Sequence, residues 1–241
     1  MAASNPKAAA GVMLVESATL VRPLPGLLDQ LSDGDRARVA AIGRAEVLDP
    51  GKHVWRQGDM QTGIYLIESG RIRTYYAAPS GREVTLAYWF AGNFLGGPDL
   101  FGSGPHVWSS VVVERSSLVF LAGPALRTLA LESPAIAVAL LDALAFKARC
   151  YSAMAQMLGT RSVTERLQRL LLLLSGIYGT KEGRDIVIGM PFTHGDLANL
   201  IGATRQWVTV QLSRMQARGI IRYNKGFISL SNPRALDLEI V

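Results

Sequence analysis

The 241-residue chain contains one cysteine, Cys150, and only three histidines. A single cysteine makes no intrachain disulfide, which points to an intracellular, reducing compartment. The same scarcity excludes a cysteine-rich zinc site and a four-cysteine iron–sulfur cluster. Three dispersed histidines do not supply the His/Glu cluster that a metal-dependent barrel enzyme needs, so neither a metal site nor a catalytic residue is expected. Long hydrophobic runs are scarce as well. The longest apolar reach, residues 135–158, is broken by Asp142, Lys147 and Arg149, which argues against a membrane span. The opening MAASNPKAAAGVMLVES lacks both a basic stretch and a sustained apolar core, so a cytoplasmic location without a secretory signal is expected. There is no internal repeat, and the alanine-rich first dozen residues are expected to fray.

Charged residues make up 18% of the chain and apolar ones 49%, a balance suited to one large domain or two modest ones. The net charge is +6 and unevenly spread. Residues 159–241 hold 11 Lys/Arg against 6 Asp/Glu, whereas residues 1–158 hold 14 against 13. A basic third beside a near-neutral body points to a polyanionic partner; a solvated basic surface is the plain alternative.

Three textures follow one another. After a short helical stretch at about residues 25–44, residues 47–121 alternate in short β-rich runs between glycine turns. Ile64 and Leu66 alternate with Tyr65 and Ile67, Ile72 and Thr74 resume after Gly70, and Pro79-Ser80-Gly81 makes a hairpin turn. Many short strands at this spacing predict an antiparallel barrel or jelly roll.

A long helix starts near Pro134. Ala137, Leu141, Leu144, Ala148, Tyr151, Ala155 and Leu158 are spaced four and three in strict alternation, a heptad seam over three heptads. A second row (Ile136, Leu140, Ala143, Cys150, Met154, Met157) flanks it. One row can pack on the barrel while the other pairs with a second copy; a single buried helix is the alternative. Lys147 and Arg149, beside the seam rather than in it, favour a homodimer.

In the third part, residues 164–178 form a leucine-rich helix that reads as core. DIVIGMPFT supplies a short strand, and Thr193 caps the helix HGDLANLIG with Asp196 three residues on. Gly202 makes a tight turn into a second helix, in which Val208, Leu212 and Met215 share one face and Gly219 marks the stop. Two short strands then flank Asn224-Lys225-Gly226. Helix, glycine turn, helix and hairpin make a winged helix-turn-helix, whose second helix enters the major groove of double-stranded DNA. The fold class is α+β.

That placement gives Thr204, Arg205 and Gln206 to the bases. Arginine can bond guanine O6 and N7 together, and glutamine adenine N6 and N7. Arg214, Arg218, Arg222 and Lys225 suit phosphates, which set affinity and register.

With LDPGKHVWRQGDMQTGIYLIESGRIRTYY, SGREVTLAYWFAGNFLG and FTHGDLANLIGATRQWVTVQLSRMQARGII in this order, the chain resembles the Crp/Fnr superfamily of bacterial transcription regulators over residues 25–235. The resemblance implies a cyclic-nucleotide-binding-type β-roll at residues 25–132, a dimerisation helix at 133–160 and a DNA-binding winged helix at 161–241. It further implies a two-fold symmetric operator and RNA polymerase as a partner. A member of this family is also the standard example of such helix docking. By position, the family's base-reading residues fall on Arg205, Gln206 and Thr209, with Thr204 at the helix start. Val210 stands where many members carry arginine, and could instead touch a thymine methyl.

The sensor departs from the family. Where cyclic-nucleotide binders have a Gly-Glu-Leu stretch and an Arg-Ser/Ala pair, this chain has Gly96-Gly97-Pro98 and Val107-Trp108. Neither Val107 nor Trp108 can hold an anionic phosphate; Ser109, Ser110, Arg71 or Arg73 could if the alignment slips. The expected effector is therefore a small molecule other than cyclic AMP, a protein-level signal, or none, and no cofactor is assigned. His53, His106 and Cys150 are scattered, which disfavours haem. Gly96, Gly97, Trp108, Ser109, Tyr151 and Ser152 are the candidate pocket residues. Two alternatives stay open: a cyclic-nucleotide responder with a non-standard phosphate site, and a β-roll regulatory subunit without a DNA function.

Overall fold

The computed structural model describes residues 26–238. The alanine-rich first dozen residues, and Pro25 at the start of the expected first helix, lie outside them. The described residues fall into two compact units: 26–82 with 86–149, and 83–85 with 150–238.

In the first unit a 3-10 turn (Leu27–Gln30) and helix α1 (Asp33–Ala41) replace the single helix expected at 25–44. Ser32 divides them, because its hydroxyl accepts from the Asp35 amide and starts a new helix there. Strands β1 (Gly43–Leu48), β2 (His53–Trp55), β3 (Gly63–Ala77), β4 (Glu83–Phe90), β5 (Phe94–Leu95) and β6 (Ser109–Ala122) form one antiparallel sheet in the order β1-β6-β3-β4, with β2 on β6 and β5 on β3. This is the β-roll. It is not the run of many short strands that the glycines predicted, since β3 and β6 have 15 and 14 residues.

The reason lies at Gly70. The strand passes through this residue at φ +93° instead of ending, and the β3–β6 register shifts on both sides of Ser69. A Cβ there would lie 2.6 Å from the Ser116 Cα, so the glycine permits a bulge rather than a turn. The turn expected at Pro79-Ser80-Gly81 is present, with Gly81 at φ +80° and the Ala78 amide donating to Arg82 O.

Helix α2 (Gly123–Glu132) leads into α3 (Pro134–Thr160). The two rows of α3 differ in burial as expected. Ile136, Leu140, Cys150, Met154 and Met157 are buried, whereas Leu141 in the seam is 64% exposed and Ala148 and Ala155 are exposed. Ala137, Leu141 and Leu144 line a cavity of about 490 Å³ together with Leu100, Phe101 and Leu131. Lys147, beside the seam as read, is buried, its ammonium over the rings of Trp89 and Phe94. Among the described residues no single helix is long and apolar enough to cross a membrane.

In the second unit α4 (Val163–Tyr178) starts at a capping box between Ser162 and Glu165, and buries Leu167, Leu170, Leu171, Leu173 and Leu174. The apolar run there is core, as read. Strands β7 (Gly179–Glu182), β8 (Asp185–Ile188), β9 (Ile221–Asn224) and β10 (Phe227–Leu230) form a sheet in the order β7-β8-β10-β9. Strand β7 and a last helix, α7 (Pro233–Leu238), had no signal in the periodicity. Gly-Thr-Lys-Glu in β7 has no apolar face, and its last three residues are exposed.

Candidate nucleic-acid interface

Helices α5 (His194–Ile201) and α6 (Arg205–Ala217) form the helix-turn-helix. Thr193 and Asp196 make a full capping box at the start of α5, which satisfies two of the helix's free amides. Gly202 ends α5 in the left-handed conformation at φ 67°, ψ 41°, the geometry that glycine adopts without steric cost. Arg166 Nη1 donates to Ile201 O at 2.6 Å, so α4 satisfies a terminal carbonyl of α5. Leu197, Leu200, Ile201, Val208, Leu212 and Met215 are buried. Their burial leaves the opposite face of α6 in solvent.

On that face the sequence-selected side chains divide by what they already hold. Thr204 is the N-cap of α6, its hydroxyl accepting from the Trp207 amide at 3.2 Å. Arg205, Gln206 and Arg214 are exposed, and Val210 is 43% exposed. Thr209 is exposed, but its Oγ1 donates to Arg205 O (2.9 Å) and lies 2.8 Å from His194 Nδ1. Arg222 forms an ion pair with Asp185 of β8 while most of its side chain stays exposed. The pairing follows from the sheet order, which sets β8 and β9 on either side of β10.

The wing is a two-residue hairpin. Asn224 pairs with Phe227, and Lys225 and Gly226 between them have φ +48° and +90°. Positive φ at both central positions matches the right-handed strand twist, and lysine is an uncommon residue to hold it. The Phe192 amide donates to Gly226 O at 2.8 Å, which ties the wing to the segment before α5.

His194 and Tyr223 had no place in the sequence reading. The His194 ring lies against Tyr223 with centroids 4.6 Å apart, and the Tyr223 hydroxyl donates to Phe192 O at 3.0 Å. Burial, and secondarily the Arg205 charge, hold the His194 pKa below the ordinary histidine value. The only available signal was a histidine directly after a helix cap, which carries no chemistry by itself.

The candidate effector residues are less coherent. Gly96 and Gly97 are buried at φ +118° and +95°, and Lys147 Nζ donates to Gly96 O at 3.2 Å. Trp108 is half-buried and its carbonyl accepts from Trp55 Nε1 at 2.9 Å. Ser109 does not stand open to a ligand. It is buried and accepts from the Gln57 amide at 2.9 Å, because β6 begins there and pairs it into the sheet. The other substitutes for a phosphate partner are also engaged. The Ser110 and Thr74 hydroxyls are 2.9 Å apart, Arg71 pairs with Glu114 at 3.0 Å, and the Arg73 guanidinium stands 4.2 Å from the Tyr75 ring centre. Tyr151 (half-buried) and Ser152 (exposed) lie on α3 in the second unit, so the six residues are not gathered within one unit. His53 bonds the Tyr75 hydroxyl (3.0 Å), and His106 stacks on Trp55 with centroids 4.2 Å apart.

Comparison with known proteins agrees with this architecture. Residues 45–133 match the cyclic nucleotide-binding domain family, and residues 165–238 the Crp-like helix-turn-helix domain family. The chain is 29% identical over 187 residues to a CRP-like cAMP-activated global transcriptional regulator of Mycobacterium tuberculosis, covering 77% of this chain and 83% of that protein. It is 24% identical over 209 residues to the fumarate and nitrate reduction regulatory protein of Salmonella typhimurium, covering 87% and 80%. Among solved structures, a variant of CooA from Carboxydothermus hydrogenoformans superposes with a TM-score of 0.77 at 20% identity, covering 91% of this chain and 97% of that one. With a β-roll ahead of a winged helix-turn-helix and both domain families matched in that order, the chain belongs to the Crp/Fnr superfamily of transcription regulators.

Proposed function

We propose that the protein acts in the cytoplasm as a homodimer, paired through the α3 seam, and reads a two-fold symmetric operator with α6 and its partner copy. The observation that carries this reading is the exposed start of α6. Arg205 and Gln206 stand free at a capped helix N-terminus while Val208, Leu212 and Met215 anchor the opposite side. Arg205 suits a guanine and Gln206 an adenine, Thr204 caps the helix start beside them, and Arg214 suits a phosphate. Lys225 holds a backbone conformation that glycine or asparagine adopts more easily, which supports a ligand-facing role for its ammonium. Bound to its operator, the dimer would contact RNA polymerase.

The roll, in this reading, answers to an effector other than cyclic AMP. One relative is named as cAMP-activated, but here Gly97 offers no acid and Val107 no donor, and the neighbouring Ser109, Ser110 and Arg71 have partners within the roll. The test is retardation of random duplex DNA by the full-length protein at several salt concentrations, followed by selection of preferred sites. Salt-sensitive retardation and a symmetric selected site support the reading; absence of any retardation at low salt overturns it.

A further inference from the structure

The contact between His194 and Thr209 limits what the recognition helix can read. A hydroxyl has one proton to donate and two lone pairs. The Thr209 proton goes to Arg205 O, since a carbonyl oxygen can only accept. With that proton on Arg205 O, His194 Nδ1, 2.8 Å from the same hydroxyl, is the donor of the second bond. That fixes the tautomer. Nε2 is left as a bare acceptor, buried and without a hydrogen-bond partner. A bare buried acceptor is tolerated better than a buried N–H beside the Arg205 cation, so the ring stays neutral at pH 7, in line with its lowered pKa. Tyr223, held by Phe192 O, fixes the plane of the ring from the wing side.

Thr209 is thus left with one lone pair and its methyl. It cannot donate to guanine O6 or N7, or to thymine O4. The next residue, Val210, is 43% exposed and wholly apolar. In the major groove only thymine offers a methyl to such a surface.

We propose that Thr209 reads the C5-methyl of a thymine with its own methyl beside Val210, and that His194 is the positioning residue that imposes this by occupying the Thr209 hydroxyl. The inference rests on α6 being the recognition helix, as proposed above.

The test begins with the site selected by the full-length wild type, in which each thymine is replaced singly by uracil. One thymine per half-site should weaken binding about fourfold when its methyl is removed, the worth of one buried methyl group. Thr209→Val keeps the methyl and should keep that sensitivity; Thr209→Ser should lose it. His194→Phe keeps a ring against Tyr223 but has no Nδ1 donor, so it should broaden the base preference at that position. His194→Asn, which restores an N–H donor, should recover it. In the Thr209→Val background, His194→Phe should leave the preference unchanged, because no hydroxyl remains to be released. A merely structural role for His194 would weaken all duplexes alike.

A selected site without a methyl-sensitive thymine overturns the inference, as does a Thr209→Ser variant that keeps the preference while Thr209→Val loses it. An unaltered preference in His194→Phe removes the positioning role. Failure of the wild type to retain any duplex instead overturns the recognition-helix reading, and this inference with it.

Discussion

The Lys147 ammonium lies 3.8 Å from the centre of the Phe94 ring and donates to the Phe94 carbonyl oxygen at 2.9 Å. A second bond reaches Gly96 O at 3.2 Å, and the Trp89 ring stands 4.6 Å away. One buried cation therefore fastens α3 to the stretch where cyclic-nucleotide binders carry their acid. Lys147→Ala strands two buried carbonyls and empties the space between two rings. Urea denaturation should show a loss of about 2–4 kcal/mol, the cost of leaving such acceptors unpaired. An unchanged midpoint would show that the carbonyls find other partners.

Pairing through α3 is tested on its exposed side chains. Leu141→Glu with Ala148→Glu places acids in the seam without touching the buried row of Ile136, Leu140 and Cys150. The double variant should sediment as a folded monomer and lose its grip on a symmetric site, because an isologous contact repeats each substitution twice. A dimer that persists would mean that another face is used.

Cyclic AMP is expected neither to bind tightly nor to raise affinity for DNA. Calorimetry giving micromolar affinity, about −8 kcal/mol, would contradict this. It would point to Arg71, whose Nε is buried without a hydrogen-bond partner, as the group that meets the phosphate.

Two exposed cations should behave differently. Arg205→Ala should relax base preference at one position per half-site, at about 1–3 kcal/mol per base pair read. Lys225→Ala should weaken all duplexes alike and lower the magnitude of the salt slope by about one unit for each phosphate the ammonium neutralises. Half-sites should lie about 10–10.5 base pairs apart, so that both α6 helices meet one face of the DNA. Affinities at several salt concentrations separate the two roles. An Arg205 variant with unchanged preference would move the reading surface elsewhere on α6.

Stability should fall as the solution is acidified through the histidine range. Burial against Trp55 holds the His106 pKa below its ordinary value, with Asp59 opposing more weakly. Between that lowered value and the ordinary 6.5, the unfolded chain binds the proton and the folded one does not. The contribution is thus complete above about pH 6.5 and is lost as pH descends towards the folded pKa. His194 acts in the same direction. Denaturant midpoints between pH 7.5 and 5 should drop less for His106→Gln than for the wild type; parallel curves would assign the slope to other groups.

The alternation of Ile64 to Ile67, the seam of α3, the Thr193 cap, Gly202 and the Lys225-Gly226 turn were all legible in the sequence. Each of them is local: a period of two or 3.6, a side chain bonding an amide three residues on, or a backbone angle few residues adopt. The face of α6 that carries Arg205 and Gln206 followed from the same periodicity, because Val208, Leu212 and Met215 could only be its buried side.

What the tertiary structure decided was the state of each polar group, since a hydrogen-bond partner distant along the chain leaves no periodic mark. Gly70 looked like a strand end until Ser116 was placed across from it. Lys147 only interrupted an apolar run in the sequence; folding brings the Phe94 and Gly96 carbonyls, about fifty residues away, to its ammonium. Arg222 was taken by Asp185, and the Thr209 hydroxyl by His194, through contacts between separate elements. Which helix face turns outward and where the chain reverses could be read from the residues alone, because those depend on neighbours within a few residues. Which of the outward groups remain free to meet a base or an effector was decided only by folding, because that depends on which distant donors and acceptors claim them first.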